Sequence, residues 1–146
     1  MAWIELENIT MRYDLEEVLK DFSLEVGEKE LIAITGPSGS GKSTILNILG
    51  LLLEPTKGRK MHFGEENIKV NSSKALWVLR YGIGYLFQNY ALIDDETVLN
   101  NMNYAVKFSV SKNKRKEILD ALDAVGLAHL KDRKVYTLSG GEQQRL

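Results

Sequence analysis

The feature that most constrains this chain is the segment GPSGSGKS at residues 36–43. It has the spacing G-x-x-x-x-G-K-S and lies between two apolar runs, ELIAIT at Glu30–Thr35 and ILNILGLLL at Ile45–Leu53. These flanks predict a strand before the loop and a buried helix after it, which is the context in which such a loop binds phosphate. Glycine lets successive backbone N–H groups converge on an anion at a helix N-terminus. The glycines concerned are Gly36, Gly39 and Gly41.

The side chains at the end of this loop predict a nucleoside triphosphate and Mg²⁺ as ligands. Lys42 supplies a point charge to the β- and γ-phosphates, and the Ser43 hydroxyl is the expected metal ligand. Thr44 continues the helix. The rest of the predicted phosphate-binding loop is Pro37, Ser38 and Ser40. A glycine-rich turn that matches the motif by chance is the alternative, and the flanking elements make it improbable.

Composition excludes several other classes of protein. The 146 residues suit one domain, and 44% hydrophobic with 27% charged residues is typical of a globular chain. A net charge of −1 gives no sign of the basic field expected for nucleic-acid binding. There is no cysteine, so disulfides and thiolate metal sites are excluded. The longest apolar run is far below the ~20 residues that cross a bilayer, so any membrane role requires a partner.

Apolar alternation predicts strands in the first part of the chain. Trp3–Tyr13 and Val18–Val26 are two expected strands joined by an acidic turn. Gly58–Phe63 is a shorter one, although Lys60 interrupts its apolar pattern. Gly82–Phe87 is a short apolar strand that ends just before Gln88.

Helical periodicity and capping residues predict the remaining elements. Ser72–Arg80 is a helix with Ser72 or Ser73 as its N-cap. Thr97 is expected to cap a second helix, and the apolar positions from Ile118 to Val125 indicate a third. The basic run Lys112–Lys116 is interpreted as the solvated start of that helix rather than a nucleic-acid patch.

A second motif, LSGGEQQR at Leu138–Arg145, points to one family. By itself, SGG would be only a turn that starts a helix. Together with the phosphate loop, an aromatic residue at Tyr13 and a glutamine at Gln88, the chain resembles the nucleotide-binding domain of ABC transporters from about Trp3 to its last residue. The resemblance implies a P-loop NTPase fold of class α/β, with N-terminal β strands, a RecA-like core and a helical subdomain.

The resemblance also implies a division of the chain and a role for each site residue. Residues 1–87 would be the ATP-binding core, 88–137 the Q-loop and helical subdomain, and 138–146 the signature motif. Tyr13 would stack on adenine, unless it is only a half-buried strand tyrosine. Gln88 would contact Mg²⁺ and the attacking water. The signature residues Ser139, Gly140 and Gly141 would face the γ-phosphate of ATP held by the opposite subunit.

The partners implied are a transmembrane permease subunit and a second nucleotide-binding domain in a head-to-tail dimer, with no nucleic acid. The expected location is cytoplasmic, peripheral on the inner face of the membrane through the permease. The stretch Tyr85–Val98 is further similar to bacterial exporter ATPases of the bacteriocin, lipoprotein-release and macrolide branch. Residues Gln88–Glu96 are the expected docking region for the permease.

The chain departs from the family's pattern after the signature, where a strand ending in Asp-Glu and a strand ending in His would follow. We therefore expect these 146 residues to bind nucleotide without hydrolysing it, and to lack two central strands that separate Glu30–Thr35 from Gly82–Phe87 in the sheet. His62 and His129 are predicted to be ordinary surface or half-buried histidines. The alternatives are a naturally short, non-catalytic regulatory subunit and a non-transport ABC ATPase.

Overall fold

The computed structural model describes residues 3–146, which form two compact units. The first unit ends at Tyr85, and the second comprises Leu86–Leu146. The first carries the sheet and the phosphate loop, and the second is helical. Each unit is described separately below.

The first unit is built on a four-stranded antiparallel sheet with the order β2-β1-β3-β4. Strand β1 (Ile4–Tyr13) pairs with β2 (Glu16–Val26) across a two-residue turn in which Asp14 has a φ of 52°. The other edge of β1 pairs with β3 (Lys57–His62), which is followed by the two-residue β4 (Glu65–Glu66). The strands predicted at Trp3–Tyr13, Val18–Val26 and Gly58–Phe63 are confirmed, with β2 starting two residues earlier.

One face of this sheet packs on helix α1 (Lys42–Leu49). The predicted helix after the phosphate loop is confirmed, but it ends at Leu49 rather than Leu53, and Leu51 turns the chain with a φ of 53°. The core joins apolar side chains that alternate along the strands to one face of the helix. Its buried members are Leu6, Ile9, Met11, Leu19, Ile45 and Ile48.

Two predicted strands are wrong. Neither Glu30–Thr35 nor Gly82–Phe87 is part of a β-ladder within residues 3–146. Leu31 is 97% exposed and Leu86 is 99% exposed, although each belongs to a run that reads as a buried strand. An apolar run predicts a strand only when a neighbour supplies backbone hydrogen bonds and a covering face, and the described residues contain no such neighbour.

Helix α2 (Ser73–Tyr81) completes the first unit and begins where the sequence predicts. The Ser72 side chain accepts a hydrogen bond from the Ala75 N–H, so Ser72 is the N-cap. Ala75 and Val78 pack with Leu51 and Ile68 in a separate small core.

The second unit consists of short helices around its own core. Thr97 caps α3 (Val98–Ala105) as predicted, and α4 (Lys114–Ala124) starts within the basic run. Two short 3₁₀ turns lead to α5 (Gly140–Arg145). The buried core of this unit is Val98, Ile118, Leu122, Leu127, Leu130 and Leu138.

Candidate functional site

The phosphate loop connects residue 35 to the first turn of α1 through three glycines with positive φ. The values are 148° at Gly36, 80° at Gly39 and 84° at Gly41. An L side chain adopts such backbone conformations only with strain, so glycine is required by conformation and not only by size. The chain enters α1 directly at Lys42, which leaves the first N–H groups of the helix without intrahelical partners.

Space also restricts two of these glycines. A Cβ at Gly41 would lie 2.8 Å from Leu19 Cδ2 and 3.2 Å from the Val18 carbonyl, both on β2. A Cβ at Gly36 would lie 2.9 Å from the Ser40 Oγ. The loop is therefore a bare-backbone cradle whose C-terminal end packs directly on the sheet. This cradle suits a phosphate group, because its three glycines leave the N–H groups and the helix N-terminus without a Cβ beside them.

The Lys42 side chain folds back over this cradle. Its Nζ donates to the carbonyl oxygens of Gly36 at 3.0 Å and Pro37 at 2.5 Å, and lies 3.5 Å from the Ser40 Oγ. Ser43 follows in the first turn of α1, and Thr44 is buried on the face of the helix that meets the core. The cation is thus held at the loop by contacts with carbonyl oxygens rather than by a carboxylate.

The signature residues start α5 with a capping box. The Ser139 Oγ accepts from the Glu142 N–H at 3.4 Å, while Glu142 Oε2 accepts from the Ser139 N–H and hydroxyl, both at 2.7 Å. Two hydrogen bonds hold the pKa of Glu142 below its ordinary value: the larger effect comes from the Ser139 hydroxyl and the smaller from the Ser139 backbone N–H. Gly140 and Gly141 form the first turn. The predicted helix start at the signature is confirmed.

The remaining predicted site residues are exposed and lie in both units. Tyr13 is the last residue of β1 and is 46% exposed. Gln88 lies in a turn of the second unit. The signature also belongs to the second unit, whereas the phosphate loop belongs to the first. Two non-glycine residues after Gln88, Tyr90 and Ala91, have φ values of 62° and 52°. Consecutive left-handed residues of this kind are uncommon outside functional turns.

An apolar hollow of about 270 Å³ lies in the second unit next to this turn. It is lined by Tyr90, Ala91, Leu92, Ile93, Met102 and Tyr104, among others. The Asn101 side chain fixes the loop, because its Oδ1 accepts from the Ile93 N–H at 2.8 Å and its Nδ2 donates to the Ile93 carbonyl at 3.1 Å. The loop is therefore tied to α3.

Sequence reasoning missed two polar side chains buried under the sheet. Lys60 is 2% exposed and its Nζ lies 2.8 Å from Glu54 Oε1. His62 is fully buried, so the prediction of a surface or half-buried histidine is wrong for this residue. The only signal in the sequence is that both positions alternate inward on a predicted strand, where apolar residues are expected.

A glycine loop with the spacing G-x-x-x-x-G-K-S that enters a helix at Lys42 and Ser43 is the phosphate-binding loop of P-loop nucleotide-binding proteins. The family model described as "ABC transporter" matches residues 19–146. This chain belongs to the ABC transporter family.

Relatives of this chain span several transport functions. It is 38% identical to an uncharacterized ABC transporter ATP-binding protein of Thermotoga maritima, over 98% of the chain and 64% of that protein. It is 38% identical to the maltose/maltodextrin import protein MalK of Mannheimia succiniciproducens, over 100% of the chain and 38% of that protein. It is also 36% identical to the macrolide export protein MacB of Bartonella henselae, over 99% of the chain and 23% of that protein. The chain therefore spans less than two thirds of each of these relatives.

Solved structures match the fold. The dimeric structure of MJ0796, a bacterial ABC transporter cassette, is 35% identical and superposes with a TM-score of 0.86, over 97% of this chain and 66% of that one. A dimeric post-hydrolysis state of the same cassette, bound to ADP and Pi, gives a TM-score of 0.84 at 34% identity, with the same coverage. The chain thus has the P-loop NTPase fold of ABC ATPase cassettes, as predicted. Within residues 3–146, no helix is long and apolar enough to span a membrane.

Proposed function

We propose that this chain is the nucleotide-binding part of an ATPase subunit that powers an ABC transporter. The observation that carries the proposal is the bare-backbone cradle of Gly36, Gly39 and Gly41 at the N-terminus of α1. Such a nest binds a polyphosphate through backbone N–H groups and the helix dipole. The residues proposed to complete the phosphate site are Pro37, Ser38, Ser40, Lys42, Ser43 and Thr44.

Each side chain has a distinct part in this proposal. Lys42 exchanges its two carbonyl contacts for the β- and γ-phosphate oxygens of ATP, which are stronger acceptors because they are charged. Tyr13 stacks on adenine through its exposed ring. The Ser43 hydroxyl and Gln88 are the proposed ligands of Mg²⁺, which when bound neutralises charge on the phosphates. We propose ATP hydrolysis as an activity of the full-length protein and not of these 146 residues alone, because the relatives extend well beyond the region that the chain matches.

The signature motif is proposed to act across a dimer. Gly140 and Gly141 expose the first backbone N–H groups of α5, and the Ser139 hydroxyl lies beside them. In a head-to-tail pair these groups would face the γ-phosphate of ATP bound to the other subunit. The dimeric MJ0796 structures support pairing of two such domains.

The proposed nucleotide site is tested by removing one charge. Lys42→Ala keeps the backbone cradle but loses a charge-assisted contact worth about 1.5–3 kcal/mol, so MgATP should bind at least about tenfold more weakly. Calorimetric titration of the full-length protein measures this. Leu15→Ala, at a fully exposed side chain in the β1–β2 turn, is the matched control and should bind as the parent does. Equal affinity for Lys42→Ala and the parent would sink the assignment.

The permease is proposed to dock on the loop Gln88–Glu96. The apolar residues of this loop line the 270 Å³ hollow, and Ile93 is 46% exposed. Asp94 and Asp95 lie next to Ile93 in an exposed turn. Contiguous exposed apolar surface of this kind marks contact sites. The alternative is that Leu92 and Ile93 only anchor the loop.

This docking is tested by a photo-crosslinker at position 92 in the assembled transporter, with position 110 as the control because Val110 is 91% exposed and lies outside the loop. We expect position 92 to reach the permease and position 110 not to. Crosslinks from position 92 that stay within its own domain would count against the docking site. The location that follows from docking is the cytoplasmic face of the membrane, with the protein bound through the permease.

Export is the proposed direction of transport. It rests on the similarity of Tyr85–Val98 to exporter ATPases and on the macrolide export protein among the relatives. The maltose import protein is 38% identical to the chain and the macrolide export protein 36%, so the direction must be measured with the permease. With MgATP added outside inside-out vesicles, whose cytoplasmic face is outward, an exporter takes substrate up into the vesicles, whereas ATP-driven loss of preloaded substrate would show import instead.

A further inference from the structure

The C-terminal end of α1 has an unusual hydrogen-bond donor. The last carbonyl groups of a helix lack intrahelical partners and must find others. Backbone N–H groups of the following turn satisfy three of them: Leu46 by Gly50 at 2.8 Å, Ile48 by Leu51 at 3.1 Å, and Asn47 by Leu52 at 2.8 Å. The fourth, the Leu49 carbonyl, accepts from the His62 Nε2 at 2.9 Å. A side chain of β3 therefore completes the end of the phosphate-loop helix.

This contact determines the state of the imidazole. A carbonyl oxygen only accepts, so Nε2 carries a proton, and in the neutral ring Nδ1 is then the unprotonated nitrogen. Nδ1 is buried and has no hydrogen-bond partner among residues 3–146. Burial is the main cause that holds the pKa of His62 below its ordinary value; the bond to Leu49 opposes it, and Lys60 lowers the pKa further. The ring is therefore neutral and presents one donor, aimed at Leu49.

An apolar residue would suit position 62 better if packing were its only task. The side chain is fully buried, and a buried polar group costs stability unless it is hydrogen-bonded. Here only one ring nitrogen is satisfied. The ring nitrogen that has a partner is the one bonded to the last carbonyl of α1. We therefore assign the histidine the task of holding this end of the helix.

Helix α1 is short enough to transmit this contact to the phosphate loop. Its eight residues rise only about 12 Å, which is about two turns. The loop end is packed on β2 through Gly41, and the middle is held by Ile45 and Ile48 in the core. The Tyr85 hydroxyl donates to Asn47 Oδ1 at 2.6 Å. Beyond Ile48, the Leu49 carbonyl is fixed by His62.

We propose that His62 is a positioning residue for nucleotide binding: by donating from Nε2 to the Leu49 carbonyl, it holds α1 in the orientation that presents Lys42 and Ser43 to the phosphates. This inference rests on the proposed function. It concerns a residue that touches no phosphate and acts through α1, about 12 Å from the loop by helix rise.

The test compares two substitutions in the full-length protein. His62→Leu fills the space but removes the donor, whereas His62→Gln retains an N–H donor at a similar reach. Val98→Ala is the control, because it creates a cavity in the core of the second unit and destabilises the protein without touching α1. MgATP affinity is measured by calorimetry at a temperature at which all variants are folded. Hydrogen exchange of residues 50–53 reports on the end of α1.

We expect His62→Leu to bind MgATP about fivefold more weakly, with His62→Gln within about twofold of the parent and Val98→Ala unchanged, because only the first leaves the Leu49 carbonyl without its donor. Exchange at residues 50–53 should quicken in His62→Leu alone. Parental affinity in His62→Leu, or equal weakening in both His62 variants, would overturn the inference while leaving the proposed function intact. A parent that binds no MgATP would overturn both.

A measurement on the parent protein covers the case in which His62→Leu does not fold. Nitrogen-15 NMR distinguishes the two neutral tautomers of histidine. We expect His62 to be protonated at Nε2, with that resonance shifting when MgATP is added, and His62→Gln to retain affinity within about twofold. Protonation at Nδ1, an Nε2–H resonance that does not respond to MgATP, or a fivefold loss of affinity in His62→Gln would each contradict the role.

Discussion

At the scale of single residues, two polar side chains occupy inward-facing positions of β3 at which the hydrophobic pattern predicts apolar residues. Lys60 and His62 alternate inward on β3, and each contacts one atom of a neighbouring segment: Lys60 Nζ is ion-paired with Glu54, and His62 Nε2 donates to the Leu49 carbonyl. Glu54 is the partner of Lys60 and also accepts from the Val70 N–H at 2.9 Å. The ion pair therefore joins three segments: the turn after α1, strand β3 and the approach to α2.

The Glu54–Lys60 pair makes a prediction about stability. Glu54→Gln keeps an acceptor for the Val70 N–H but leaves the Lys60 charge buried without a counter-charge. Because the Glu54 side chain is half exposed, we expect a loss of about 1–2 kcal/mol, below the usual cost of breaking a fully buried pair. Lys60→Met, which removes the buried charge, should be nearly neutral or stabilising. Urea unfolding at pH 7 measures both.

The same pair sets a pH dependence. Partial burial acts to raise the pKa of Glu54, but Lys60, the Val70 N–H and Lys69 outweigh it and lower the pKa below 4.5. The stabilisation from the carboxylate is therefore present above about pH 4.5 and is lost as the pH falls through the lower pKa of the folded state. The difference between parent and Glu54→Gln should shrink on acidification. A difference that grows below pH 4.5 would contradict this sign.

At the scale of elements, the sequence predicted features that depend on neighbouring residues better than features that depend on a partner far away in the chain. Ser72, Thr97 and Ser139 cap helices because a cap needs only a side-chain oxygen and an N–H group three residues later. The strands at Glu30–Thr35 and Gly82–Phe87 failed because a strand needs a partner from elsewhere in the chain. The burial of His62 was missed for the same reason: its partner is a carbonyl thirteen residues earlier.

The capping box of α5 makes the element-scale prediction. Ser139→Ala removes the side-chain acceptor for the Glu142 N–H and a donor to the Glu142 carboxylate. We expect hydrogen exchange at Glu142 to be about fivefold faster, because a lost N-cap frees the first turn. The pKa of Glu142 should rise toward its ordinary value, since the Ser139 side chain is the main cause of its depression. Ser139→Thr keeps the hydroxyl and is the control. An unchanged Glu142 pKa in Ser139→Ala, followed by NMR titration, would show that the side chain has no such role.

At the scale of the whole molecule, the two motifs that define the family lie in different compact units. The phosphate loop belongs to the first unit and the signature to the second. Sequence spacing predicted both helix starts, but it could not tell whether the motifs act on one nucleotide within a chain or between two chains. The related cassette MJ0796 is dimeric. For this chain we propose the second arrangement, in which ATP is bound between a phosphate loop and the partner's signature.

The chain offers a direct way to measure this arrangement because it contains no cysteine. Ser38→Cys in one copy and Thr137→Cys in another place single thiols at exposed positions beside the two motifs. Mixed full-length proteins, in which any cysteine outside these 146 residues is replaced by serine, are oxidised with and without MgATP and resolved by mass. We expect a disulfide-linked heterodimer that depends on MgATP and disappears when the Ser38→Cys copy also carries Lys42→Ala. If crosslinking is equal with and without nucleotide, or if it survives Lys42→Ala, the signature does not meet ATP on the opposite phosphate loop.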